Sequence, residues 1–325
     1  MRAVEFHEYG GPEVLRVVRT AAPEPGPGQV TVEAVWAGVN FADVKARAEG
    51  YRVASLPHRP GLEVSGRIRA VGEGVTGLRA GQQVITLVDD GGYAEVVLAQ
   101  AARVFPMPEG LDLRTAAALP TVLPTAHALV HEVGRLRAGE SVLVHGAAGG
   151  VGTAVGQLAR AAGAGAVYGV ASGDAKADYA LKHGYDEVFR PGTFETDVRR
   201  ATGGRGVDLV LDPVGGDTLR RGLEALAVFG RLVSFGNAGG AAPWRAGQDE
   251  LYAQGRSVAG FSVLGLAQSA PEALRALTER ALRAVCDGVV VLPVTAEFSL
   301  SDAADAHRLI GGRTSTGKLL LRITD

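Results

Sequence analysis

Gly146, Gly149, Gly150 and Gly152 punctuate the stretch SVLVHGAAGGVGTAVGQLARAAG, which runs from Ser141 to Gly163. Glycine at this spacing lets the backbone approach a diphosphate closely. A helix that starts there offers unsatisfied N–H groups and the positive end of its dipole. The apolar run Val142, Leu143, Val144 ahead of it reads as a buried parallel strand, and Val151, Val155, Leu158 and Ala162 behind it share one helical face. Strand, turn and helix make the start of a dinucleotide-binding βαβ unit, with Gly149, Gly150, Val151 and Gly152 at the diphosphate. The spacing is GxxGxxG rather than GxGxxG; the other reading is a glycine-rich turn that only packs a helix on a sheet. An NAD-type site carries an acid about 20 residues further on, at the end of the second strand. Here that place reads Val170-Ala171-Ser172-Gly173, followed by Lys176. The hydroxyl of Ser172 and the charge of Lys176 suit a 2′-phosphate, and Asp174 falls where a helix start favours an acid. The alternative for Lys176 is a solvated lysine on a helix.

Other chemistry is sparse. His127 and His131 stand at i, i+4 on an expected helix, but no third ligand accompanies them, and catalytic zinc needs about three plus an open position. The single cysteine, Cys286, excludes internal disulfides and a thiolate zinc cluster. A net charge of −2 leaves no basic footprint for nucleic acid or an anionic membrane surface. No apolar run approaches the roughly 20 residues of a membrane span, and the opening MRAVEF is strand-like, without a signal region. The expectation is a cytoplasmic protein.

The elements that must position these groups fall into two patterns. At 325 residues, with 46% hydrophobic and 21% charged residues, the chain is expected to form two domains. Up to about residue 120, apolar clusters or alternations over 4–6, 14–18, 30–39, 63–71, 83–87 and 94–98 are separated by Gly/Pro turns, which predicts a barrel-like β domain. A short helix is expected over 40–48. Pro106 and Pro108 close this section, a helix covers 113–119, and Pro120 and Pro124 frame a loop before a helix over 125–133. From 141 the chain alternates strands (141–146, 166–171, 186–189, 207–212, 229–235, 257–261) with helices (149–162, 174–183, 194–201, 216–226, 246–255), the pattern of a doubly wound parallel sheet. The last 60 residues read as a helix over 271–286, two short strands within 289–299, a helix over 301–311 and a strand over 317–323, and are expected to rejoin the first domain.

The motifs GVNFAD (38–43), GLEVSG (61–66), VGEGV (71–75), GQQV (81–84), GGYAE (91–95), AAGGVG (147–152), VLDPVGG (210–216), GRLVSFGN (230–237) and TGKLLL (316–321) follow one another in an order that resembles the zinc-free, zeta-crystallin-like quinone oxidoreductases of the medium-chain dehydrogenase/reductase superfamily. The resemblance covers nearly the whole chain. It implies an α/β fold: a GroES-like β-barrel catalytic domain (1–122 and 264–325), a doubly wound parallel Rossmann domain (123–263), NADPH as reductant and a cleft between the domains. Zinc members of the superfamily carry a Cys near the GVN position and a His in a GHE motif; this chain has Gly38-Val39-Asn40 and Gly61-Leu62-Glu63 there. No metal is expected.

The resemblance also assigns residues. Asn40 and Thr125 match positions near the nicotinamide and its ribose. Gly236 and Asn237 match a loop along the dinucleotide, Phe261, Ser262 and Val263 backbone contacts to the carboxamide end, and Arg313 and Lys318 a C-terminal segment reaching back to the cleft. Core packing is an equal reading for Phe261 and Val263. Where relatives often place a Tyr over the adenosine phosphate, this chain has Pro191; neighbouring Arg190 could bind the phosphate through its planar fork or be a surface charge. Asn40, Lys45, Arg47 and Tyr51 are the catalytic candidates. Lys45 stands where relatives often carry Tyr, Tyr51 matches a second tyrosine that donates a proton or lines the pocket, and Asp43 is read as a helix anchor.

The function implied is reduction of small conjugated carbonyls or quinones, acceptors that delocalise charge without a Lewis acid. Two other readings remain at this point: an acyl-thioester enoyl reductase, and a non-enzymatic NADPH-binding protein of crystallin or RNA-binding type. The expected edge strand at 257–263 predicts a homodimer, because a hydrophobic edge needs a partner.

Overall fold

The structure, a computed structural model of the chain, describes every residue except 108, 109, 243, 244, 246 and 325. Pro108 and Ala246, expected to close the strand-rich region and to open a helix, lie outside the described residues. The chain divides into two compact units, Met1–Thr121 with Leu266–Leu282 and Leu292–Asp325, and Val122–Gly265 with Arg283–Val291.

The first unit begins with β1 (Arg2–Glu5), β2 (Arg16–Arg19), β3 (Gln29–Val39), α1 (Phe41–Glu49), β4 (Glu63–Val71), β5 (Gln83–Leu87), β6 (Val96–Gln100), β7 (Val104–Pro106) and α2 (Leu113–Ala116). The second holds α3 (Val122–His127), β8 (Ser141–His145), α4 (Gly150–Ala161), β9 (Ala166–Val170), α5 (Asp174–Leu181), β10 (Glu187–Phe189), α6 (Phe194–Ala201), β11 (Val207–Asp212), α7 (Asp217–Glu224), β12 (Leu226–Ser234), α8 (Gln248–Tyr252) and β13 (Ser257–Gly260). After α9 (Val263–Ser269), the elements α10 (Pro271–Cys286), β14 (Val294–Ser299), α11 (Ala303–Gly311) and β15 (Lys318–Arg322) complete the chain.

In the first unit the seven-stranded sheet runs β14-β15-β3-β4-β5-β7, and β6 also pairs with β3. The eleven residues of β3 organise it: Gln29–Glu33 pair with β6 and Trp36–Val39 with β15, while β4 runs along the other side. Alternation along β3 buries Val30, Val32 and Ala34 in one apolar cluster with Phe6, Ile68, Tyr93 and Leu321. In the second unit six parallel strands run β10-β9-β8-β11-β12-β13. Chain direction across the sheet reverses between β8 and β11. In open α/β sheets, ligands bind outside the carboxyl ends of the strands at such a reversal.

Three expectations are corrected. Pro124 does not frame a loop: it is the third residue of α3, where a helix has no i−4 carbonyl to lose, and a π-helical turn Ala128–Glu132 continues it. The α-helix expected over 113–119 stops at Ala116, ahead of Pro120. Of two strands expected within 289–299, one forms. Residues Arg283–Val291 belong to the second unit, where Gln157 on α4 donates from Nε2 to the carbonyl of Val291 and accepts from its N–H through Oε1, at 2.9 and 3.0 Å.

Candidate functional site

In the second unit β8 is fully buried and delivers the chain to Gly146, whose φ of +70° favours glycine. A methyl group on Gly152 would lie 2.4 Å from the carbonyl oxygen of Gly146 and 2.6 Å from that of Ala147, so the turn closes only with glycine there. Gly149 caps the twelve-residue α4 without a side-chain bond. The first-turn N–H groups of that helix have no partner within the helix and no side-chain cap at Gly149, and they lie beside the strand reversal. On the adjacent parallel strands β9 and β10, Val170 and Phe189 are in register. The segments that follow place Ser172, Lys176 and Arg190 after the carboxyl ends of these two strands. Ser172 is exposed, Lys176 is half-buried in the first turn of α5, and Arg190 is ion-paired with Asp174.

Gly236 and Asn237 follow β12 and are exposed. The Asn237 amide donates to the carbonyl of Ala241 at 2.8 Å. Thr125 is buried in α3, and Phe261 and Val263 are half-buried after β13. Asp212, at the end of β11, accepts from the N–H groups of Val214 and Gly215, and burial holds its carboxyl above the usual range. His127 and His131 lie with ring centroids 4.6 Å apart. Among the described residues no group of three or more His, Cys, Asp or Glu is placed to hold a metal ion.

In the first unit, register brings three distant residues together. Leu319 on β15 faces Val39 on β3, and Val64 on β4 faces Ala37, so Lys318 and Glu63 reach the end of β3 from opposite sides. Lys318 Nζ donates to Glu63 Oε1 at 2.6 Å, to Asn40 Oδ1 at 2.9 Å and to the Val39 carbonyl at 3.2 Å. Glu63 also accepts from Asn40 Nδ2 and from the Thr121 N–H, both at 2.8 Å. Gly38 makes room: a methyl group there would sit 2.2 Å from Glu63 Oε1. Asn40, half-buried, precedes α1, and its N–H donates to Asp43 Oδ2 at 2.8 Å. Asp43 accepts further from the Gly61 N–H at 3.1 Å and Tyr93 OH at 3.2 Å, which makes it the anchor of α1. Burial pushes its carboxyl up to about 7 against these donors and Lys318. Beyond it, His307 Nε2 lies 3.2 Å from Tyr93 OH.

Two expected site residues turn inward. Lys318 is only 3% exposed, and its three ammonium hydrogens match three internal acceptors, so it is spent on Asn40 and Glu63 rather than on a cofactor. Arg47 is 4% exposed, because Asp43, Val44, Ala46 and Arg47 form the buried face of α1 and Arg47 stands one turn after Asp43. Burial lowers the pKa of its guanidinium. Lys45 pairs with Glu49 at 2.5 Å on the same helix. Tyr51 is 41% exposed in the turn after α1, and Arg313 is exposed in the turn after α11. Sequence reasoning missed Glu63, Thr121, Tyr93 and His307 as members of this network. An acid opening the apolar strand EVSGRIRAV was the one available signal; Thr121 carried none.

The comparisons agree with this architecture. Residues 26–109 match the family described as alcohol dehydrogenase GroES-like domain, and 150–279 match the family described as zinc-binding dehydrogenase. The chain is 36% identical to the synaptic vesicle membrane protein VAT-1 homolog of Danio rerio, over 98% of this chain and 69% of that protein. It is 34% identical to the quinone oxidoreductase of Mus musculus, over 99% and 97%. The crystal structure of Escherichia coli quinone oxidoreductase complexed with NADPH superposes with a TM-score of 0.92 at 31% identity, covering 99% of this chain and 100% of that one. With a GroES-like domain, a Rossmann-type parallel sheet and full-length likeness to quinone oxidoreductases, the chain belongs to the quinone oxidoreductase family of the medium-chain dehydrogenase/reductase superfamily.

Proposed function

We propose that the protein is an NADPH-dependent, zinc-independent reductase of quinones and α,β-unsaturated carbonyls. The observation that carries this is the N-terminus of α4, which no side chain caps, behind a turn only glycine can make, with Lys176 and no acid at the end of β9. That donor set fits the cofactor of the Escherichia coli relative. Gly149, Gly150, Val151 and Gly152 would hold the diphosphate. Ser172 and Lys176 would hold the 2′-phosphate, with Arg190 available once it leaves Asp174. When bound, NADPH supplies a hydride. The protein's own residues orient the acceptor and stabilise the charge that develops on it.

Zinc independence is supported by residue types. Gly38 and Leu62 stand where zinc relatives carry Cys and His, and the ammonium of Lys318 is the fixed cation beside Glu63. The reading includes a homodimer built on β13. Among the described residues no helix is long and apolar enough to cross a membrane.

The test is a panel of benzoquinones, enones and an enoyl thioester with NADPH and NADH, read at the nicotinamide absorbance with and without a chelator. Turnover of quinones or enones with NADPH, indifferent to the chelator, is expected. Preference for the thioester would select the acyl-enoyl reductase reading, and activity lost to the chelator and restored by zinc would overturn the zinc-independent one.

A further inference from the structure

The side-chain amide of Asn40 is engaged at three of its four hydrogen-bonding positions. Its Oδ1 accepts from Lys318 Nζ at 2.9 Å and Thr121 Oγ1 at 3.1 Å, and its Nδ2 donates to Glu63 Oε1 at 2.8 Å. An amide oxygen has two lone pairs and an amide nitrogen two hydrogens, so one N–H is left. The amide cannot turn over, because that would set Nδ2 against the ammonium of Lys318 and Oδ1 against the carboxylate of Glu63. Glu63 is itself fixed by the Thr121 N–H at 2.8 Å. The partners behind the amide are closed off from solvent: Glu63 is 0% exposed, Lys318 3% and Thr121 7%, whereas Asn40 is half-buried.

Resting on the reductase reading above, we infer that Lys318, Glu63 and Thr121 are positioning residues that act through Asn40. They hold its remaining Nδ2 hydrogen as a fixed donor to the carbonyl oxygen of the acceptor. As the acceptor is reduced, negative charge gathers on that oxygen. A donor oriented beforehand stabilises the charge without reorganising and keeps its own proton. The ammonium on Oδ1 polarises the amide and strengthens the N–H opposite it.

Lys318→Met alone leaves Glu63 buried without its cation and can unfold the chain, so Thr121→Val carries the test. Turnover of 2-cyclohexenone, the NADPH dissociation constant and binding of 4-nitrophenolate to the NADP⁺-loaded protein are measured in native, Thr121→Val, Asn40→Ala and doubly substituted proteins. Asn40→Ala is expected to lower kcat roughly 100-fold and Thr121→Val roughly 5-fold, with NADPH affinity unchanged in Thr121→Val. In the Asn40→Ala background Thr121→Val should add nothing, since its effect passes through the amide. Phenolate binding should weaken in the same order. Equal losses from Thr121→Val in both backgrounds, or an unchanged kcat in Asn40→Ala, would overturn the inference. Should the native protein reduce no quinone or enone, the reductase reading falls separately. The phenolate titration then decides, and binding indifferent to Asn40 overturns the inference by itself.

Discussion

The ammonium of Lys318 lies 2.6 Å from Oε1 of Glu63, and both side chains are shut away from water. A buried pair is held by its geometry. Attraction in a low-dielectric interior compensates desolvation only while every remaining donor and acceptor is satisfied. Here Val39, Asn40 and Thr121 meet that condition. Glu63→Gln removes the charge and leaves a buried ammonium, which should cost about 3–5 kcal/mol. The unfolding midpoint in urea checks this; a loss under about 1 kcal/mol would mean that water reaches the pair.

Lys176→Ala should weaken NADPH binding by about 1.5–3 kcal/mol and NADH binding hardly at all, since only the former carries the 2′-phosphate. Fluorescence titration with each cofactor measures both. Equal native affinity for the two would remove Lys176 as a specificity residue.

Tyr51, exposed beside α1, is expected to act on turnover rather than on cofactor affinity. A quinone delocalises the charge it receives better than an enone and depends less on a donor. Tyr51→Phe should therefore slow enones more than quinones, by on the order of 2–3 kcal/mol if the phenol contacts the oxygen directly. An equal effect on both substrate classes would make Tyr51 a wall of the pocket.

β13 ends the six-stranded sheet, and among the described residues its outer edge, Ser257–Gly260, pairs with no further strand. Joined to the same strand of a second copy, it would give one continuous sheet and a self-complementary contact. Sedimentation at micromolar concentration should find a dimer, and Val258→Pro, which removes an edge N–H, should shift it toward monomer. A native monomer would contradict the proposal.

Acid should destabilise the protein below about pH 6.5. Burial, helped by Arg221 for His145 and by Arg47 for His307, holds both imidazoles neutral with pKa values of about 3. The unfolded chain takes up those protons near 6.5. Their contribution to stability is thus full above 6.5 and is lost as pH falls toward 3, by about 2 kcal/mol per histidine at pH 5, against the smaller opposite effect of the Asp43 carboxyl, which burial holds up to about 7 so that it takes up its proton in the folded protein over the same range. Urea midpoints between pH 8 and 5 should fall accordingly, and His145→Gln and His307→Gln should each flatten the slope. A native slope that neither variant changes would place the acid sensitivity elsewhere.

The parallel sheet was legible in the sequence because its signals are local. Each strand is a short apolar run beside its own helix, and the Ser141–Gly163 stretch carries strand, turn and helix within one continuous pattern. Strand β4 begins and ends where its alternation does, at Glu63 and Val71. Periodicity within a segment cannot say which strand lies beside which. Lys318 bonds to residues 278 and 255 positions away only because β15 and β4 flank β3 in one register. That register changed Lys318 from an expected cofactor ligand into the support of Asn40. Arg47 went inward for a similar reason: its one-turn spacing from Asp43 was visible, but the direction of that face was set by Tyr93 and Gly61, which bind Asp43 from elsewhere in the chain. Spacing along the chain determined the elements and the glycine turn, and pairing between distant strands decided which polar groups bond to one another and which stay exposed.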